Sequence, residues 1–288
     1  SGNVTIQATN NITIGALAMG GALSGSSGDG LTGALAGAGA GSTNTSDVDV
    51  LAYSDSNTTI TAGGNVQIQS TDTSTITADA GGVAISVARG GVGGSLSIGA
   101  SRSNNTITTV VNAYAKNTDI DATGNLAIIA SSTATIDALA IAGSLAGVSA
   151  EGLAVSGAGS GSYNTISSTI AAYTLGEKTV TTGGTTHINA VDNSSITSDA
   201  GGIAVALIKS SLIGGAISVG RSVSDNEITT VVQAYANQTT IVATGNVVIE
   251  ATSNPTINAL AIGGSLAAST GAVGLAISGA GAITENDI

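Results

Sequence analysis

Apolar and polar residues alternate along most of this chain. In "NVQIQS", Val66 and Ile68 fall on one face and Gln67 and Gln69 on the other, the period of a half-buried strand. The stretch has counterparts in "NVTIQA", "NLAIIA", "TTHINA" and "NVVIEA". Two longer segments follow each one, such as "TIDALAIAGSLAG" and "GLAVSGAGSGSYNTIS", joined by a short polar tip around Ser149 to Gly152. An Ala-Tyr strand and a short strand such as "TDIDA" complete the unit. Alternation slips at Gly81-Gly82, where the apolar phase moves to Val83, Ile85 and Val87. That slip predicts a bulge or bend.

The unit repeats. Gly-Asn or Gly-Thr pairs begin at Gly2, Gly64, Gly124, Gly184 and Gly245, at intervals of 62, 60, 60 and 61 residues. Tyrosines keep the same beat at Tyr53, Tyr114, Tyr173 and Tyr235, and asparagines at Asn44, Asn105, Asn164, Asn226 and Asn286. The chain therefore reads as a single repeat array with copies at residues 1–62, 63–122, 123–182, 183–243 and a partial fifth at 244–288. Tandem strands of this kind stack as a parallel β-solenoid with about 4.8 Å between coils. Like residues then lie above like, so the asparagines and tyrosines are expected to form ladders. Similarity at this long period favours one wide coil per copy, with two or three smaller coils of unlike sequence as the rival.

A second period is superposed. Odd copies carry "ITIGALAMGG", "ATIDALAIAG" and "PTINALAIGG"; even copies carry "ITADAGGVAI" and "ITSDAGGIAV". At the tip, Asp29, Arg89, Glu151 and Lys209 alternate in sign. Stacked one coil apart, they would form a ladder of opposite charges.

Composition sharpens the fold. There are 42 glycines, one proline, and no cysteine, tryptophan or phenylalanine, and charged residues make up 8%, against roughly 25% in ordinary domains. Small side chains must fill the interior, so facing backbones have to come close. The two long segments are expected to pack as a thin double wall, with Gly143, Ala146, Gly157 and Ala158 as representatives of its inner layer. Enlarging such a residue should overpack the wall. The prediction is an all-β, parallel β-solenoid.

Charge and composition also exclude functions. A net charge of −12 with six Lys and Arg opposes binding to a nucleic-acid backbone or an anionic lipid surface. Without cysteine there are no disulfides and no zinc–thiolate sites. The most apolar stretch, "IDALAIAGSLAGVSAEGLAVSG", contains Asp137 and Glu151 and recurs along the chain. It reads as a wall element rather than a membrane span.

Candidate chemistry is sparse. His187, the only histidine, lies on the polar face of "TTHINA" without visible catalytic partners. Asp47 with Asp49, and Asp119 with Asp121, are pairs on one side of a strand. Weak calcium binding is their conceivable use, but the fourth copy has "TTIVA" where the second has "TDIDA". Thr-x-Thr units wander in position, unlike an ice-matching face. No catalytic residue, cofactor site or metal site is assigned, and an enzyme is not expected. Tyr163, outside the tyrosine beat and next to Asn164, is the best candidate for a ligand contact.

With their Gly-Asn-Val starts, "AGSLAGVSAEGLAVSGAG" centres, Asn-Thr-Ile stretches and Ala-Tyr strands, the copies resemble the repeat arrays of leukotoxin-type filamentous adhesins. More broadly they are similar to giant repeat proteins of bacterial cell surfaces. The resemblance covers essentially the whole chain and implies export to the cell surface or matrix. It also implies a structural role in a fibre, stalk or filament, the alternative being an adhesin module that binds a glycan or host surface through an outer face. It implies no catalytic residues. The expected partners are further covalent repeats or copies of the chain stacking at its ends.

Overall fold

A computed structural model describes residues 2–288, and among them every regular element is a strand. All strand pairs are parallel, and each joins one copy to the next. Val4 pairs with Val66, Val66 with Leu126, Leu126 with Thr186, and Thr186 with Val247. Each copy is therefore one wide coil, and the division into smaller coils does not occur.

A coil opens with a short strand, and the five short strands Val4–Asn10, Val66–Asp72, Leu126–Ser132, Thr186–Asp192 and Val247–Ser253 form one sheet. The chain then runs outward to a tip and returns. In the first three coils this path is continuous, as Thr13–Ser54, Thr75–Lys116 and Thr135–Thr182. In the last two it divides at the tip, into Ser195–Lys209 with Ile213–Ala243 and Thr256–Thr270 with Val273–Asp287. A closing strand, Thr58–Ala62 in the first coil and Thr118–Ala122 in the second, leads to the next turn.

The Gly-Asn beat has a local cause. Asn3 Oδ1 accepts from the Asn65 N–H at 2.9 Å, Asn65 Oδ1 from the Asn125 N–H at 2.9 Å, and Asn125 Oδ1 from the Thr185 N–H at 2.8 Å. Each of these amides occupies the space that a Cβ at the next coil's Gly64, Gly124 or Gly184 would need. The turn thus requires asparagine below and glycine above.

Two parts of the coil are filled differently. The body, where the short strand faces the end of the returning strand, buries columns of Val66, Ile68, Leu126, Ile128, Val111 and Ile170. The middle of the double wall buries small residues instead. Ala84, Ser86, Ala88, Ser95 and Ser97 face inward in the second coil, and the wall is bridged by Ser86–Ser95 and Ser144–Ser156 hydroxyl contacts.

This arrangement corrects the bend predicted at Gly81-Gly82, where the pairing runs through both residues without a shift. What changes is which residues face in. Val83, 49% exposed, points outward with Ile85 and Val87, while the small residues of the same stretch are buried. The middle of the wall has no room for branched side chains, so they cover its outer faces, while its ends bury Ile76 with Ile107 and Val148 with Ile208. For the same reason Gly143 and Gly157 are not inner-layer residues: they lie on the outside, whereas Ala146 and Ala158 are buried within.

One inner column follows the paired-coil period. On the returning side it reads Ala38, Gly99, Ala158, Gly220, Ala280. A Cβ at Gly99 would press on the carbonyl of Gly143, and one at Gly220 on that of Gly264. In this column backbone contact in even coils thus alternates with methyl contact in odd ones.

The charge ladder expected at the tip does not form. The register shifts there, between Gly28 and Leu31 and between Arg89 and Val92. Arg89 consequently lies beside Ser27 and Ser149, Glu151 beside Val92, and Lys209 beside Thr270. The tip bends through positive φ at Gly152 (143°) and Gly271 (156°), and these local turns displace the charges out of register.

Candidate functional site: an arginine–tyrosine cleft on the wall

The outer face of the returning wall carries one feature that the neighbouring coils do not repeat. In the third coil, Gly157, Gly159 and Gly161 occupy successive outward positions and end at Tyr163. The second coil places Ile98, Ala100, Arg102 and Asn104 beside them, and the fourth places Val219, Arg221, Val223 and Asp225. A row of glycines between two rows of larger side chains makes a trough. No atom lies within 4 Å of where a Cβ would stand on Gly157 or Gly159. Over Gly161 that space is taken by the Tyr163 ring, whose Cε2 would be 2.7 Å from such a Cβ.

Tyr163 in turn orients Arg102. The guanidinium carbon is 4.6 Å from the ring centroid, within the range of a cation–π contact. Arg102 Nε donates to Asn104 Oδ1 at 3.0 Å. Arg221 stands on the opposite rim, beside Gly159. The two arginines, Tyr163, Val223 and the glycine floor enclose a shallow cleft of about 250 Å³. Among the described residues the ion pairs are Lys116–Asp55, Lys178–Asp119 and His187–Glu250, so neither Arg102 nor Arg221 is neutralised by a carboxylate. Sequence reading reached Tyr163 but not the arginines, because only the register brings positions 102 and 221 to one place.

The repeating residues form continuous ladders. Nδ2 of Asn44, Asn105 and Asn164 each donates to Oδ1 of the next asparagine at 2.8 Å, and Asn226 donates to Asn286 at 2.9 Å. Tyr53, Tyr114, Tyr173 and Tyr235 stack with centroids 5.0, 4.9 and 4.8 Å apart and ring planes within 8°. Burial, reinforced by the Tyr235 and Tyr114 hydroxyls, pushes the Tyr173 phenol up to about 12. Burial also raises Tyr114, with smaller contributions from Tyr53 and Asp55.

Other candidate residues have ordinary partners. His187 Nε2 lies 3.0 Å from Glu250 Oε1 on the exposed face of the short-strand sheet. Asp119 is spent on its neighbour coil: Oδ1 accepts from the Thr179 N–H at 3.0 Å and Oδ2 from Lys178 Nζ at 3.2 Å. The backbone hydrogen bond, then the lysine, holds its carboxyl below the usual range. Asp47 and Asp49 both face solvent.

Two carboxylates that sequence reading passed over are fully buried. Asn10, Asp72, Ser132, Asp192 and Ser253 form one column at the end of the short strands. Asp72 Oδ1 accepts from Asn10 Nδ2 and Ser74 Oγ, both at 2.7 Å, and Asp192 Oδ1 from the Ser194 N–H and hydroxyl. Asp72 Oδ2, Ser132 Oγ and Asp192 Oδ2 have no partner. A signal was present in the sequence, since both aspartates end strands that otherwise alternate.

No family model matches the chain, and neither a curated protein nor a solved structure was found to be similar to it.

Proposed function

We propose that this chain is a segment of the shaft of an extracellular fibre, stalk or filament of a bacterial surface or matrix protein, as its resemblance to filamentous adhesin repeats implies. One observation carries the reading. Each coil bonds to the next along its whole path, and the side chains that connect coils are those of the 60-residue beat. Such a shape extends by adding coils, each lengthening the array by about 4.8 Å, without changing any existing contact. Parallel ladders of buried asparagine and stacked tyrosine suit a role in which the protein bears load or holds distance.

Two measurements test the reading. Inserting a second copy of residues 64–183, one coil pair, should give a folded chain longer by about 9.6 Å in solution scattering. Antibody raised against the chain should label intact cells of the source organism, with label removed by external protease. A duplicated array that does not lengthen, or an antigen reached only after lysis, would reject the shaft.

A further inference from the structure

We infer that the trough between Arg102 and Arg221 binds an acidic polysaccharide, that is, a sugar chain carrying carboxylates at intervals. This goes beyond the shaft and does not depend on it, since a shaft without a ligand would fold identically.

The inference begins with charge. The chain carries a net charge of −12 and only six cationic side chains. Lys116 and Lys178 are held in ion pairs. Arg102 and Arg221 are not, and both border the same cleft. Arg102 is held in place: its ring contact and its Nε bond to Asn104 leave the two terminal nitrogens with their donors free. A guanidinium fixed in that way loses little freedom on meeting a carboxylate, and its planar fork suits that partner.

Spacing then selects the ligand. The arginines stand two coils and two residues apart, so their backbones are about 12 Å from each other at 4.8 Å per coil and 3.3 Å per residue. A single carboxylate drawn between them offers each guanidinium one oxygen, whereas a chain with separated carboxylates gives each arginine a two-oxygen partner of its own.

Shape distinguishes sugar from other polyanions. The floor of Gly157 and Gly159 is open backbone surface, and the walls include Ile98 and Val219, 51% and 53% exposed. Pyranose rings present apolar C–H faces to such surfaces and direct their carboxylates outward to the rims. Nucleic acid carries a phosphate at every nucleotide and needs a continuous run of cations. Here there are two cations, one on each rim. An extended peptide would seek free backbone groups, but those of the floor are already bonded to coils on both sides.

Isothermal titration with size-defined oligogalacturonates tests the proposal, with galacturonic acid monomer, neutral dextran and single-stranded DNA as comparison ligands. The oligomers should bind and the monomer and dextran should not, with affinity falling as salt rises. Arg102→Gln and Arg221→Gln should each weaken binding about tenfold or more, as loss of a charge-assisted pair implies. Tyr163→Ala should act like Arg102→Gln while Tyr163→Phe preserves binding, because the ring's role is to position the guanidinium. Thermal midpoints of all four variants should stay near the parent's, since the side chains are on the surface. Binding of monomer or dextran equal to that of the oligomers, preference for DNA, no binding of the oligomers, or indifference to Arg221→Gln would each overturn it.

Discussion

Gly220→Ala probes the packing on which the double wall depends. Gly220 lies in the inner layer of the fourth coil. A methyl there would stand 2.8 Å from the Gly202 carbonyl oxygen and closer still to that of Gly264. Both obstacles are backbone atoms, and both belong to strands bonded to neighbouring coils. Relief therefore requires the outgoing and returning walls to separate across several coils at once. Overpacking of this kind costs about 1–3 kcal/mol, and at about 2–4 °C per kcal/mol the thermal midpoint should fall by roughly 2–12 °C. Gly157→Ala is the control, one coil away but on the outside with no atom within 4 Å of the added methyl. It should leave the midpoint unchanged or raise it slightly, because alanine restricts the unfolded chain. Melting the parent and both variants by far-ultraviolet circular dichroism separates them. Equal midpoints for Gly220→Ala and Gly157→Ala would refute the closely packed wall.

Three further outcomes are expected. Asn164→Ala should cost about 2–4 kcal/mol in chemical denaturation, since Asn105 loses an acceptor and Asn226 Oδ1 a donor in a buried column; a cost below 1 kcal/mol would show that the ladder contributes little. Asp72→Ala should cost about 1–3 kcal/mol in the same assay, because Asn10 Nδ2 and Ser74 Oγ lose their shared acceptor; an unchanged stability would contradict this. Tyr173 has a folded pKa raised from 10.0 to about 12, so the unfolded chain releases its proton first as pH rises. Its contribution to stability should be complete below pH 10 and lost between 10 and 12. A tyrosinate absorbance titration should show at least one phenol ionising late, and loss of that late step in Tyr173→Phe assigns it.

Much of the fold was legible because a solenoid writes its period into the chain. Residues that must lie above one another recur at one interval, so Asn105 and Tyr114 and their counterparts disclosed the stacking axis. The Gly-Asn turns disclosed where each coil begins. The inner layer was less legible. Val83, Ile85 and Val87 carry the apolar phase of their strand, and size and apolarity ordinarily mark a core. In the middle of the wall, too thin to hold them, they face out, and Ala and Ser face in. The slip at Gly81-Gly82 was thus a change in which face carries bulk, with no change in backbone path.

The candidate site shows the same division. Tyr163 stood out in the sequence because it breaks the tyrosine beat, and stacking alone determined that position 102 would come near it. Which rung Arg221 occupies, whether its side of the strand faces outward, and whether glycine leaves a floor between the arginines depended on register and on the inversion of the wall. The tip charges make the converse point. Asp29, Arg89, Glu151 and Lys209 keep the sequence period, yet small shifts at the turn move them out of line. Periodicity by itself determined which coil each residue belongs to, because hydrogen-bonded stacking holds the coils to nearly one length. Facing and fine register were decided by tertiary structure, because they depend on how closely two backbones can approach and how each turn is closed.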